Sequence, residues 1–312
     1  MLRRLINNWW VGLVSVGLLL AALIGAATAQ ETSQVTISVS PPTFELSANP
    51  GERLENSFRI INGTDSELTL STAVKNFTAE GEEGAVNLTD DDTGFSLASW
   101  ISVNPETAIL PPRGSQTFAF SIDVPDNAEP GGHFGSVIVS TNPVQIDSTG
   151  AAVSQEAGPL ILLGVAGDVD QSAKIVSFAA QKGFWEKGPV VLETRIANEG
   201  NVHFKPSGTI AVKNMFGREI TRINLEERNV LPDTTRKLLN EWSPGFAVGR
   251  YTADLSVVFG QDQNVETASA TFVIFPYKII VPILLGLILL IVLLVRGRQR
   301  LSAAGRALAG KR

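Results

Sequence analysis

The sequence predicts an all-β protein: two tandem immunoglobulin-like β-sandwiches followed by a single transmembrane helix. Three observations lead there. The stretch "QTFAFSIDVP" sets Phe118, Phe120, Ile122 and Val124 on one side and Thr117, Ala119, Ser121 and Asp123 on the other, the two-residue period of a strand with one buried face. The chain writes "RIINGT" at 59–64 and nearly repeats it as "RIANEG" at 195–200. Every residue from Ile279 to Val295 except Pro282 and Gly286 is strongly apolar, a run at the short limit for a membrane-spanning helix.

In chain order, "MLRRLINNWW" carries Arg3 and Arg4 and no acid, an apolar run follows over 11–26, and Ala27-Thr28-Ala29 has the small-x-small form of a cleavage site. Residues 1–29 read as a secretory signal peptide cut after Ala29, with an uncleaved anchor as the other reading. Residues 30–170 read as the first sandwich. Turn signals recur there at Asn49, Asn62, Pro111 and Glu129, and "RLENSFRIIN" alternates as a strand does. Its long insertion is the acidic, glycine-rich loop "TAEGEEGAVNLTDDDTG", and "GPLILLGVAGDV" reads as its buried last strand. Residues 171–276 read as the second sandwich, opening on "QSAKIVSF".

The two halves share three landmarks in the same order. Asn62 and Asn198 each close an Arg-Ile-x-Asn strand and open a turn, where asparagine bonds its own backbone. Leu110-Pro111 matches Leu231-Pro232, and Gly132-His133-Phe134 matches Gly249-Arg250-Tyr251. Ordered landmarks of this kind mark a duplicated unit.

Residues 277–296 read as the transmembrane helix and 297–312 as a basic tail. Arg296, Arg298, Arg300, Arg306, Lys311 and Arg312 follow the apolar run with no acid, which places the tail in the cytoplasm and the rest outside a plasma membrane crossed once. Pro282 falls in the first turn of a helix opening at Ile279, where a missing N–H costs little.

Composition narrows the chemistry. The 312 residues contain no cysteine, so thiol catalysis, thiolate metal sites and disulfides are excluded, and each core must hold its own domain together. Residues 30–170 hold 20 acids and four bases, residues 171–276 hold 11 acids and 12 bases. So acidic a surface is a poor partner for nucleic acid.

The pattern points to a protein that is not an enzyme, with no catalytic residue and no cofactor to assign. Only two histidines occur, His133 and His203, and there is no G-x-S-x-G elbow, phosphate loop or dinucleotide fingerprint. His133, in "GGHFG" at a strand start, reads as an ordinary turn or partly exposed imidazole, with ligand binding as the rival. Glu80, Glu82, Glu83, Asp90, Asp91 and Asp92 read as a solvated surface loop; the alternative is an oxygen set for calcium, although their spacing is not that of an EF-hand. Phe184 and Trp185 sit between glycines and read either as a pair plugging the base of the second sandwich or as a stacking platform for a ligand. Trp100 reads as a core anchor.

Three stretches of the first domain, "SPPTFELSANPGERLENSFRIINGT", "ILPPRGSQTFAFSIDVP" and "EPGGHFGSVIVS", together with the layout of signal, two sandwiches, helix and basic tail, resemble the WxL-interacting proteins of Gram-positive cell surfaces. The second domain, with "RIANEGNVHFKPSG" and "GRYTADLSVVFG", looks like the sandwiches common in membrane-anchored bacterial proteins. The resemblance implies a peptidoglycan-binding first domain and a partner-binding second domain, and it assigns no functional residues. The expectation is a surface protein holding a cell-wall polymer or another surface protein. The competing expectation is an assembly chaperone or adaptor that accepts a client strand on a sheet edge; a hydrolase hidden in the loops is the third.

Overall fold

The computed structural model describes residues 37–141, 144–146, 151–260 and 264–309. The signal peptide expected at 1–29 lies outside the described residues. Thirteen strands precede residue 166: β1 (Ile37–Ser40), β2 (Thr43–Ala48), β3 (Arg53–Asn62), β4 (Leu68–Glu80), β5 (Ala85–Thr89), β6 (Ile101–Asn104), β7 (Thr107–Leu110), β8 (Ser115–Asp123), β9 (Gly131–Thr141), β10 (Val144–Ile146), β11 (Ala151–Val153), β12 (Glu156–Ala157) and β13 (Leu160–Val165). Eight follow: β14 (Ala173–Ala180), β15 (Phe184–Trp185), β16 (Val190–Asn198), β17 (Ser207–Asn214), β18 (Glu219–Asn224), β19 (Thr235–Trp242), β20 (Gly249–Phe259) and β21 (Asn264–Ile274). The helix α1 (Tyr277–Ala309) ends the described chain.

Each group of strands makes a sandwich. In the first, the sheet β1-β3-β8-β6 faces the sheet β2-β13-β9-β4-β5. The alternating side chains Phe58, Phe118, Phe120 and Ile122 of one sheet meet Leu70, Val137, Val139 and Leu163 of the other. In the second, β14-β16-β19 faces β15-β21-β20-β17-β18, and Leu192, Ile196 and Leu238 meet Ile210, Val212, Leu255 and Phe272. A fully buried side chain of this size contributes about 1.5–3 kcal/mol, and with no cysteine in the chain these two cores carry that stabilisation.

The near-repeat has a physical cause. Asn62 is buried; its Nδ2 donates to Ser66 O at 2.7 Å and Pro111 O at 3.0 Å, and its Oδ1 accepts from Thr64 N at 2.8 Å. Asn198 does the same with Val202 O at 2.8 Å, Val230 O at 2.9 Å and Gly200 N at 2.9 Å. Each asparagine staples a strand end to a neighbouring turn, because buried carbonyls there need donors. The other landmarks shift by one residue from the pairing of letters. Arg113 and Asp233, with φ of 56° and 57°, occupy equivalent turn positions, so Pro112, not Pro111, matches Pro232. Gly131 and Gly249, with φ of 124° and 120°, open β9 and β20, so His133 matches Tyr251.

Both sandwiches also divide their first strand between sheets. β1 pairs antiparallel with β3, and β2 then crosses to run parallel to β13. In the second domain β14 pairs with β16, and β15 crosses to run parallel to β21. The acidic stretch is not one loop: β4 and β5 form a hairpin turning at 81–84, and a second turn follows at 90–94.

The helix opens at Tyr277, two residues before the apolar run. Pro282 therefore lies in its second turn, and its missing N–H leaves the Lys278 carbonyl without the usual partner four residues on. Tyr277–Arg296 is long and apolar enough to cross a membrane, with mean hydropathy 3.1 and none of it buried by the sandwiches. At 1.5 Å per residue it spans about 30 Å, a hydrocarbon core.

Candidate functional site

β9 is buried from Gly131 to Val139, so this strand is covered on both faces. The inward residues belong to the first core. On the outward face Phe77 of β4, Phe134 of β9 and Leu162 of β13 form a second, small core, and Leu231 of the other domain packs against it. The consecutive apolar residues of "LILLGV" are what this demands, since a strand buried on both sides cannot alternate.

Polar joints flank this shared core. On the linker side, Asn201 O accepts from Gly132 N at 2.7 Å, its Nδ2 donates to Asp168 O at 3.1 Å and its Oδ1 accepts from Asp170 N at 2.8 Å. On the far side the β4–β5 hairpin tip lies on β16 and β19. The Arg195 guanidinium grips the Glu82 carboxylate with two N–H groups, Nε at 2.6 Å from Oε2. Lys237 reaches Glu83 with Nζ at 2.5 Å, and its backbone N donates to Glu82 O at 2.8 Å. The Arg195 hydrogen bond holds the Glu82 carboxyl below its ordinary range, and Lys237 does so for Glu83. In the centre, Glu45 of β2 accepts from Lys205 Nζ at 2.6 Å and Asn229 Nδ2 at 2.8 Å. Burial pushes the Glu45 carboxyl up, but these two donors and the Lys205 charge outweigh it and bring it below the ordinary range.

A cleft of about 420 Å³ opens between the domains. Its floor is Phe77, Leu160, Leu162 and Leu231, and Lys205, Glu227, Arg228 and Arg236 stand around it, Lys205 held by Glu45 and Arg228 by Glu226. Arg236 Nε has no hydrogen-bond partner among the described residues. Burial, and then the neighbouring Arg228 charge, pull the Arg236 pKa down. Thr43 and Glu45 of β2 line the same cleft. β2 is the last strand of its sheet, with β13 on one side and no strand on the other among the described residues. The arrangement can seat apolar side chains on the floor, donate from Arg236 and offer a backbone edge for pairing. Among the described residues no group of three His, Cys, Asp or Glu side chains is placed to hold a metal ion.

The structure separates the six candidate acids. Glu82 and Glu83 engage the second domain, which corrects the reading of the stretch as a solvated loop. Asp90 pairs with Lys75 at 3.0 Å, and Asp91 bonds Thr89 at 3.1 Å. Asp92 accepts from Ser96 Oγ at 2.7 Å and Gly94 N at 3.1 Å. Glu80 closes β4 and is exposed. His133 is buried, not partly exposed; its Nδ1 and Nε2 lie 3.1 Å and 2.9 Å from the Ser96 and Glu129 carbonyls, and the Trp100 ring covers it at 4.4 Å. Phe184 and Trp185 part company. Trp185 packs against the second core, while Phe184 stays exposed with its ring 6.5 Å from Tyr277.

His203 lies between the domains, its ring 5.6 Å from that of Phe134. Its Nδ1 has no partner among the described residues, and burial lowers its pKa to about 4. Nothing in the sequence marks Glu45, Asn201 and Arg236 as site residues, and Arg195 stands out there only as part of the repeat. The one available signal was the apolar run on β13, which implied a cover on its outer face.

No family model matches this sequence, and no curated protein does. Solved structures with a similar fold include a class 5 fimbriae chaperone, CfaA, 12% identical, with a TM-score of 0.40 over 75% of this chain and 99% of that one. The SafB chaperone of Salmonella enterica, solved with the SafA pilin, is 12% identical with a TM-score of 0.39 over 78% and 98%. The PapD-like domain 7 of human CEP192 is 12% identical with a TM-score of 0.30 over 42% and 86%. Each is a likeness at low identity and low score; the functional reading rests on the cleft and edge described above.

Proposed function

We propose that this chain is a membrane-anchored, extracytoplasmic binding protein that holds a segment of a partner protein in the interdomain cleft, as an assembly chaperone or adaptor does. One observation carries the reading: the edge of β2, unpaired among the described residues, borders a cleft with an apolar floor and the Arg236 guanidinium at its side. A sheet edge of this kind presents unused backbone donors and acceptors, and an added strand satisfies them. The floor then selects apolar side chains, and Arg236, whose Nε has no partner among the described residues, offers a donor to the bound segment. The signal-like N-terminus, the apolar helix and the basic residues after it support an orientation with both sandwiches outside and the tail in the cytoplasm.

The resemblance to WxL-interacting proteins agrees with a surface protein as the partner. A cell-wall polymer, the other ligand expected from that resemblance, finds no exposed aromatic platform in the cleft.

Photo-crosslinking in the membranes of producing cells tests this. A crosslinker at Thr43 or Leu231 should capture polypeptide, one at exposed Ser115 should not, and Arg236→Glu should abolish the capture. Retention on isolated cell walls, unchanged by Arg236→Glu, together with no crosslink from Thr43, would point to polymer binding and reject the cleft.

A further inference from the structure

The strand pairings bring a set of exposed apolar side chains to one end of the second sandwich, the end from which the helix leaves. β21 closes on Ile274, and Tyr277 opens α1. Gly249 pairs with Ile274, Tyr251 with Asn214, and Phe184 with Val273. The β17–β18 turn, the segment before β20 and β15 therefore all lie at the helix end. On them Phe216 is 85% exposed, Phe246 77%, Met215 62% and Phe184 51%.

We propose that these four side chains form a collar that enters the headgroup region of the same bilayer that α1 crosses, seating the second sandwich on the lipid surface. The proposal rests on the reading of α1 as a membrane span. Exposed aromatic and thioether side chains clustered at one end of a soluble domain are out of place in water. At a membrane interface they take the position that aromatic belts and interfacial anchors occupy. The polar residues at this end fit that neighbour. Lys182, Lys187, Arg218 and Arg250 belong to the same turns and strand ends; of the acids there, Glu186 is tied to Lys278 at 2.7 Å and Glu219 to Arg222 at 2.9 Å, and Glu241 stands alone on β19 among the described residues. Cations here face lipid phosphates, and the acidic surface of the first domain belongs to the other sandwich. Phe184, 6.5 Å from Tyr277, makes the collar continuous with the start of the helix.

The chain has no cysteine, so single labels can be placed on the full-length protein. Phe216→Cys, Phe246→Cys, Ser115→Cys and Leu289→Cys, each carrying an environment-sensitive fluorophore, would be reconstituted into vesicles of phosphatidylcholine with a minor fraction of phosphatidylglycerol. Part of the lipid would carry a nitroxide just below the headgroup. The labels at 216 and 246 should show blue-shifted emission and several-fold stronger quenching than the label at 115, at every protein-to-lipid ratio. Quenching at 289 without any excess at 216 and 246 would overturn the collar and leave the anchor standing. No quenching at 289 would overturn the anchor and the collar with it. A blue shift at 216 and 246 that fades as protein is diluted in lipid would assign the collar to contact between copies and overturn the proposal.

Discussion

Glu82, at the tip of a hairpin in the first sandwich, is held by both N–H groups of one side of the Arg195 guanidinium, which projects from β16 of the second. Arg195 is also the first letter of the repeated "RIANEG". Its counterpart Arg59 has no such docking role, so one copy of the repeat became an interdomain joint.

Glu82→Lys should loosen the docking of the hairpin more than Glu82→Gln. Like charges would then face each other at Arg195 and Lys237, whereas the neutral variant only removes the attraction. The pair is partly solvated, so salt should weaken the difference. Limited proteolysis of the linker at residues 166–172 should speed up in this order while both cores stay folded.

Gly84→Ala should be worse than Gly81→Ala. Both glycines have positive φ, 83° and 63°, so each substitution costs about 1 kcal/mol of backbone strain. Only at Gly84 would the new Cβ meet another group, 1.6 Å from Arg236 Nη1. That collision must push the guanidinium aside and reshape the rim of the cleft. The thermal midpoint should fall at both positions, and crosslinking from Thr43 should change only for Gly84→Ala.

Asn198→Ala should destabilise the second sandwich by about 3 kcal/mol, because the Val202 and Val230 carbonyls lose their donor in a buried setting. Asn62→Ala should do the same to the first sandwich through Ser66 and Pro111. Denaturant unfolding of the full chain, followed separately through Trp100 and Trp242, should show each variant lowering its own transition first.

His203 should make folding stability pH-sensitive. Its pKa falls from 6.5 in the unfolded chain to about 4 in the folded one. The unfolded state therefore takes up the proton first, and the neutral folded form is favoured by about 3 kcal/mol above pH ~6.5. That stability drains away as pH falls to about 4. Glu45, whose folded pKa also lies below its ordinary value, adds a further loss through the carboxylate range. His203→Gln should flatten the dependence of the unfolding midpoint between pH ~6.5 and ~4 and leave the Glu45 contribution in place.

The sequence by itself determined the all-β class, the duplication and the apolar helix. Each rests on a period or a landmark that local physics imposes: alternation in "QTFAFSIDVP", the asparagine that closes both Arg-Ile-x-Asn strands, and 17 largely apolar residues from Ile279 to Val295. Only the tertiary structure decided the candidate site. Glu82 and Arg195, or Glu45 and Lys205, are far apart in the chain, and no periodicity announces which outward residues of two sheets will meet. Partial signals did exist. "LILLGV" was apolar at consecutive positions, but it could not say that Leu231 covers it. "GGHFG" marked a strand start, but not that Trp100 would cover His133. Alternation assigns a face to each residue; which surface that face will meet depends on how two folded bodies dock.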